Sequence, residues 1–269
     1  MGVYQKEQGL GKILAELGSM AVCFSGGVDS TFLLAKAVSY GTGKVVAVLI
    51  KSESMTSTEL HAAQENAQQL GLEPVVIEVK ELNEPKLAAN PPDRCYYCKQ
   101  LSYGEIIRFA KQQGIEHILD GTNADDLADY RPGLKAKQEA GVLSPLAKVG
   151  LSKAEIRTLS QQIDLPTWDK PSSPCLNSRV PYGEPITLQK LDQIAQAEAF
   201  LRELGFKELR VRHHSGLARI EVVPAQIAAV LAQATVIEET LKTYGFTWVS
   251  VDLGGFRTGS LNQGLNVES

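Results

Sequence analysis

Apolar positions along the chain fall into short continuous runs separated by stretches of helical period. Met20-Ala-Val-Cys-Phe24 predicts a buried strand, and Thr31-Phe-Leu-Leu-Ala-Lys-Ala-Val38 carries apolar residues at helical spacing. Lys44-Val-Val-Ala-Val-Leu-Ile50 is a second apolar strand, of the kind parallel sheets bury on both faces. Thr58 to Leu70 predicts a helix closed by Gly71, and Glu73-Pro-Val-Val-Ile-Glu-Val79 a third strand. Cys95 to Gln113 predicts a longer helix ended by Gly114, before a fourth strand, His117-Ile-Leu-Asp120. This alternation argues for an α/β fold with an open, mostly parallel sheet and flanking helices.

Beyond the fourth strand, residues 127–150 read as irregular, and 152–163 as a helix opened by a Ser152/Glu155 capping box. Pro166, Pro171, Pro174, Pro181 and Pro185 then exclude regular structure and mark a linker. The remainder predicts a helix (187–204), strands (208–213 and 217–223), a helix (225–242) and a strand (246–252), with a loose polar tail from Thr258. The expected division is 1–165 for the α/β domain, 166–186 for a proline-rich functional linker, 187–257 for a smaller α+β C-terminal domain and 258–269 for the tail. There is no internal repeat.

Ser25-Gly-Gly-Val-Asp-Ser30 lies between the first strand and its helix. The glycines permit a sharp turn and clear side chains away, so N–H groups at the helix start can hold an anion. Ser25 and Ser30 can donate to phosphate oxygens, and Asp29 can orient the loop or help hold Mg2+. No Gly-Lys-Ser/Thr ends the loop, so it is not a Walker A motif. The pattern resembles the PP-loop of the ATP pyrophosphatases, which cleave ATP to AMP and pyrophosphate. Gly121-Thr-Asn-Ala-Asp-Asp126 lies at the carboxyl end of another strand, where open α/β sheets bind ligands. One nucleotide could therefore touch Gly121, Thr122 and Asp125 as well as Ser25, Gly26, Gly27, Asp29 and Ser30.

Composition adds little to this. The chain has 269 residues, 43% hydrophobic and 22% charged, with net charge −4, ordinary for a globular protein and without a long basic stripe for nucleic acid. Met1 to Gly11 reads as polar and glycine-containing, with no signal-peptide pattern, and no apolar run spans a bilayer. A cytoplasmic, reducing location is the expectation, and there four cysteines favour metal or catalytic roles over disulfides.

Cys95 and Cys98 form Cys-x-x-Cys at a helix start, so both thiols share one face. Cys175 sits in the linker, and Cys23, inside the first strand, reads as a small buried hydrophobe. The three other thiols admit a zinc site short of one ligand, a redox pair in an unfavourable context, a [4Fe–4S] cluster with one open iron, or no shared role.

Ser25-Gly-Gly-Val-Asp-Ser30, Gly121-Thr-Asn-Ala-Asp-Asp126, Asp129-Tyr-Arg-Pro-Gly133, Ser144-Pro-Leu146, Cys175-Leu-Asn-Ser-Arg-Val-Pro-Tyr-Gly183, Arg210-Val-Arg-His-His214 and Ala218-Arg-Ile-Glu221 together resemble the LarE family. The resemblance runs over nearly the whole chain. It implies an ATP-dependent sulfur transferase that adenylates the carboxylates of pyridinium-3,5-biscarboxylic acid mononucleotide. Sulfur then displaces AMP, giving the thiocarboxylates of the nickel-pincer cofactor of lactate racemase. Some family members sacrifice the sulfur of the linker cysteine, which becomes dehydroalanine; others hold a cluster on three cysteines. With Cys95, Cys98 and Cys175 this chain resembles the second kind, resupplied by an unnamed sulfide donor, and sacrificial donation from Cys175 is the alternative. The resemblance also implies Mg2+, a homo-oligomer (the 225–242 helix could contribute an interface) and a substrate phosphate held by Arg179, Arg210 and Arg212.

On the strand, Arg210 and Arg212 face the same side, where Arg219 and Glu221 could pair with them instead. Asp125 and Asp126 could simply cap the next helix, and Trp168 reads as packing; His213 and His214 suggest no role. Thiolation of tRNA is an alternative that the acidic net charge opposes. A nucleotide-sensing protein without chemistry is another, which would not need three thiols.

Overall fold

The structure, a computed structural model, describes residues 2–128, 132–171, 174–257 and 261. Asp129, Tyr130 and Arg131 of the Asp129–Gly133 motif, and most of the expected tail from Thr258, lie outside the described residues. Contacts divide the chain into two compact units. One joins Met1–Glu81 to Asp93–Ser173, and the other joins Leu82–Pro92 to Pro174–Ser269.

In the first unit, strands β1 (Met20–Phe24), β2 (Val45–Lys51), β3 (Val75–Glu78) and β4 (His117–Leu119) form a parallel sheet of order β3-β2-β1-β4. The helices in chain order are α1 (Val3–Leu17), α2 (Val28–Tyr40), α3 (Ser57–Gln69), a short α4 (Pro85–Ala88) that belongs to the second unit, α5 (Arg94–Gln112), α6 (Pro132–Glu139), α7 (Pro145–Lys148) and α8 (Lys153–Gln162). Alternation along the strands splits the core in two. Met20, Val22 and Phe24 pack with Leu14, Phe32, Leu33 and Ile156, whereas Ala21, Val46 and Val48 pack with Tyr103, Ile106 and Ala110. The Ser152/Glu155 capping box forms, with Ser152 N donating to Glu155 Oε2 at 2.9 Å.

The second unit is α+β. Strand β5 (Leu209–His214) runs antiparallel to β6 (Leu217–Val222), and β6 runs parallel to β7 (Trp248–Val251). Helices α9 (Leu188–Glu203), α10 (Ile227–Ala232) and α11 (Ala234–Thr243) accompany this sheet. Residues 82–92, expected in the first domain, join it through Asn90, which is fully buried with φ 57°. Asn90 Nδ2 lies within donating distance of the carbonyls of Val180, Pro181 and Glu184. The boundary at 173/174 falls inside the predicted linker.

Two expectations are corrected. The stretch 127–150 is not irregular: α6 and α7 occupy much of it, each beginning on a proline, which the first helical position accepts. The single helix expected over 225–242 is a 3₁₀ turn (Pro224–Gln226) and two helices broken at Gln233, across which the apolar period continues. The N-terminal segment, for which no element is predicted, is a 15-residue helix despite Gly9 and Gly11. Gly11 is useful there, because a Cβ would lie 3.1 Å from the Tyr40 ring of α2. No described helix is long and apolar enough to cross a membrane.

Leu14, with no exposed surface, is the anchor of α1 in the core. Leu14→Ala is expected to destabilise the chain by about 3 kcal/mol through lost burial and a residual cavity. Urea unfolding measures it, and a change below about 1 kcal/mol would mean that α1 is peripheral.

Candidate active site

β1 ends at Phe24, and Ser25, Gly26 and Gly27 turn the chain into α2. Gly26 has φ 66°, and a Cβ there would lie 2.8 Å from Ala63 Cβ on α3. Glycine is therefore required twice, for the left-handed backbone and for the close helix. The first intrahelical bond runs from Thr31 N to Gly27 O at 3.0 Å. The N–H groups ahead of it sit at the positive end of the helix dipole and can receive an anion.

The two serines behave differently. Ser25 is exposed, and its Oγ lies 3.1 Å from Ser30 Oγ, a bond it would exchange for a phosphate oxygen. Ser30 is buried; its Oγ accepts from Ser25 N at 3.2 Å and donates to Gly27 O at 3.2 Å, so it staples the turn. Because β4 pairs with β1, its following loop reaches the same place, and a Cβ on Gly121 would come within 2.9 Å of Ser30 N. The two sequence motifs thus meet. Asp120 braces this loop by accepting from Thr122 Oγ1 (2.8 Å), Ser144 Oγ (2.5 Å) and Tyr103 Oη (3.2 Å). Asp125 caps α8, accepting from Lys153 N at 2.8 Å, while Asn123 Oδ1 accepts from the N–H groups of Asp125 and Asp126.

Two lysines that sequence reasoning missed converge on the turn. Lys153 Nζ pairs with Asp29 Oδ2 at 2.5 Å, and Lys170 Nζ donates to Gly26 O at 2.9 Å. Lys170 is held there because Arg157 of α8 donates to the carbonyls of Trp168 and Lys170, each at 2.7 Å. Burial lowers the pKa of Lys170 below the usual lysine range, with Glu59 opposing the shift. Burial also raises the pKa of Asp29, against the pull of Lys153. The only sequence signal for these lysines was their lying after the last strand of the sheet, which says nothing of direction.

The thiols are distributed between the units. Cys95 is exposed and Cys98 half-buried on neighbouring turns of α5. Cys98 Sγ donates to Glu81 Oε1 at 3.2 Å, and Glu81 Oε2 accepts from Ser54 Oγ at 3.0 Å. Cys175 is exposed in the second unit, ahead of a 3₁₀ turn, Leu176–Arg179. Among the described residues no three His, Cys, Asp or Glu side chains form a metal-binding group. Cys23 has its thiol pKa pushed up to about 12 by burial and is inert, as its strand position implied.

Arg179, expected to bind phosphate, meets a different geometry. It is 1% exposed, and its Nε and Nη2 donate to the two carboxylate oxygens of Glu198 at 2.8 and 3.1 Å. Arg212 pairs with Glu221 at 2.8 Å, and Glu221 also accepts from Arg219 at 2.9 Å, the pairing that strand alternation allowed. Arg210 lies over the Phe256 ring, and its pKa falls to about 10 through burial and the nearby guanidiniums of Arg179, Arg212 and Arg202, with Glu198 opposing.

The parallel sheet and the glycine-walled cradle at the carboxyl ends of β1 and β4 define a PP-loop protein, of the ATP pyrophosphatase class. The sequence model of the asparagine synthase family matches residues 14–203. An uncharacterised protein of Synechocystis sp. is 41% identical over 97% of this chain and 98% of its own length. The pyridinium-3,5-bisthiocarboxylic acid mononucleotide synthase of Lactiplantibacillus plantarum is 38% identical over 94% of this chain and 92% of its own. An uncharacterised protein of Methanocaldococcus jannaschii is 30% identical, over 88% and 90%. The chain belongs to the LarE family, the ATP-dependent sulfurtransferases of the PP-loop class.

Two outcomes test the cradle. Gly26→Ala is expected to weaken ATP binding by at least about tenfold, through backbone strain and collision with α3; isothermal titration reads it, and wild-type affinity would remove the turn from the site. The second concerns pH. Lys170 is cationic only below its lowered pKa, so ATP affinity is full there and is lost as pH rises through that value, earlier than an ordinary lysine would allow. Lys170→Arg should push this alkaline limb upward, and an unmoved limb would assign it to another group.

Proposed function

We propose that this enzyme converts the carboxylates of pyridinium-3,5-biscarboxylic acid mononucleotide to thiocarboxylates, with cleavage of ATP to AMP and pyrophosphate. The observation that carries this reading is the cradle at Ser25–Ser30, served by Lys153 and Lys170, in a LarE-family chain with three accessible or half-buried thiols besides Cys23.

A carboxylate oxygen is a poor leaving group, so it must first be activated. The carboxylate attacks the α-phosphorus of ATP; the new O–P bond forms as the bond to the bridging oxygen breaks. Pyrophosphate leaves with that electron pair. The N–H groups at the start of α2, Ser25 Oγ and the two lysines stabilise its growing charge. Sulfide then attacks the acyl carbon, the C–S bond forms, and AMP departs with the acyl C–O electrons. The same sequence serves the second carboxylate.

Mg2+ prefers oxygen ligands, and Asp29 Oδ1, buried and without a hydrogen bond, suits it. Asp29 would hold the ion, which neutralises phosphate charge when bound. Cys95, Cys98 and Cys175 would hold a [4Fe–4S] cluster, which when bound supplies an open iron for exchangeable sulfide. Three thiols are the right donor chemistry for it. For the substrate's own phosphate, Arg210 and Arg212 are the candidates: an anion would offset the burial, and after it the guanidinium repulsion, that depress Arg210. We read the reaction as cytoplasmic.

Pyrophosphate release that depends on the mononucleotide, together with iron and acid-labile sulfide after anaerobic purification, tests the proposal. Cys95→Ala, Cys98→Ala and Cys175→Ala should each lose the iron while pyrophosphate release persists. No release with any pyridinium mononucleotide would sink the reading. Iron absent after reconstitution, with Cys175 lighter by its sulfur in the intact mass, would move the donor role to that residue alone.

A further inference from the structure

Cys175 is exposed, yet the backbone that carries it is held from below by buried charge. Its carbonyl accepts from Ser178 N (3.0 Å), Ser178 Oγ (2.9 Å) and Arg179 Nη1 (3.1 Å), and the same Nη1 donates to Pro174 O at 2.5 Å. The other face of that guanidinium is fixed by Glu198, which also accepts from Val211 N at 3.1 Å and from Arg202 at 2.8 Å. One residue further along β5, Arg212 Nη1 donates to Ser178 O at 2.7 Å while its Nη2 pairs with Glu221. The turn bearing the thiol and the strand bearing Arg210 and Arg212 therefore share one hydrogen-bonded block.

We propose that Arg179 and Glu198 are positioning residues for Cys175, a clamp that fixes the thiol relative to β5, and that Arg179 is not a ligand of the substrate phosphate. The proposal rests on the sulfur-transfer reading of the site. A planar guanidinium suits this role, because its fork meets the carboxylate of Glu198 on two nitrogens and leaves Nη1 for the turn, where it reaches the Pro174 and Cys175 carbonyls and the Ser178 hydroxyl. A lysine has no such fork. The clamp acts on the step in which sulfur reaches the acyl carbon and has no part in adenylation, which belongs to the cradle. Small misplacements of a reacting group are costly in rate, so loosening the turn should appear in that step alone.

Glu198→Gln keeps the shape and removes the charge, and Arg179→Lys keeps the charge and removes the fork. In both, thiocarboxylate formed per pyrophosphate released should fall by about tenfold, with the KM for the mononucleotide and the rate of pyrophosphate release within about twofold of wild type. Glu198→Asp should recover part of the loss. If Arg179 instead binds the phosphate, Glu198→Gln frees it and shifts that KM while leaving the product ratio intact, which overturns the clamp.

A second readout needs no substrate. In the full chain with iron chelated, the alkylation rate of Cys175 relative to Cys95, mapped by mass, should change by about fivefold or more in both variants. Ser178→Ala, a half-buried change that removes one bond to the Cys175 carbonyl and the 3.0 Å bond from Arg179 Nη1 but leaves the Arg179–Glu198 pair, should move it less and in the same direction. Unchanged relative alkylation in all three overturns the clamp, whether or not the wild type thiolates the mononucleotide. Failure of the wild type to release pyrophosphate would count against the proposed reaction alone.

Discussion

The N–H groups that open α2 precede the first bond of that helix, and the rest of the first unit is arranged so that an anion can reach them. Gly26 lets α3 come within contact of the turn, and Gly121 lets the loop after β4 rest on the backbone of Ser30. Both approaches follow from parallel pairing, which brings the carboxyl ends of β1 and β4 side by side. A side chain at either glycine would push a wall of the cradle outward, α3 at Gly26 and the start of α2 at Gly121. The buried Ser30 hydroxyl then holds the turn in shape through Ser25 N and Gly27 O and keeps the exposed Ser25 hydroxyl beside it, at 3.1 Å.

Backbone dipoles alone are weak: a helix N-terminus contributes roughly 0.3–1 kcal/mol toward an exposed anion. A lysine about 4 Å from a phosphate oxygen contributes roughly 4 kcal/mol at an effective dielectric of 20. A PP-loop without its own lysine must find that charge elsewhere, and here Lys153 and Lys170 bring it from beyond the last strand of the sheet. Their placement is structural before it is electrostatic. Asp125 caps the helix that begins at Lys153, and Arg157, one turn later, fixes the carbonyl of Lys170. A loop that sequence logic assigned to the nucleotide thus also orients the cations that would meet it.

What could be read in advance was what repeats locally. Continuous apolar runs marked the strands of the parallel sheet, and the Ser152/Glu155 pair marked the start of α8. The glycine motifs marked the turns. α1 escaped because Gly9 and Gly11 lower helix propensity, while the burial of Leu10 and Leu14 that overrides it is tertiary. α6 and α7 escaped because proline reads as a breaker unless it is known to stand first. The lysines escaped for a deeper reason: nothing in a lysine's local sequence records which turn, more than a hundred residues away, its amine will reach. The same holds for Asn90, whose three carbonyl partners lie some ninety residues on.

The second unit raises the opposite question, why charges are buried at all. Glu198 is 1% exposed and Glu221 fully buried, and together they face Arg179, Arg202, Arg212 and Arg219. Buried pairs of this kind rarely add net stability over apolar side chains of the same volume, since desolvation offsets attraction. Their depressed or opposed titrations reflect that balance: Glu198 is pulled down by Arg179 against the cost of burial, and Arg210 is pushed down by burial and its guanidinium neighbours. What apolar packing cannot supply is direction. A guanidinium donates along fixed lines, and those of Arg179 and Arg212 end on the carbonyls of Pro174, Cys175 and Ser178. The exposed thiol sits on a proline-rich segment, and these bonds fix the carbonyls on either side of its Cα. The buried arginines therefore trade stability for the geometry of one short turn, the turn that carries Cys175.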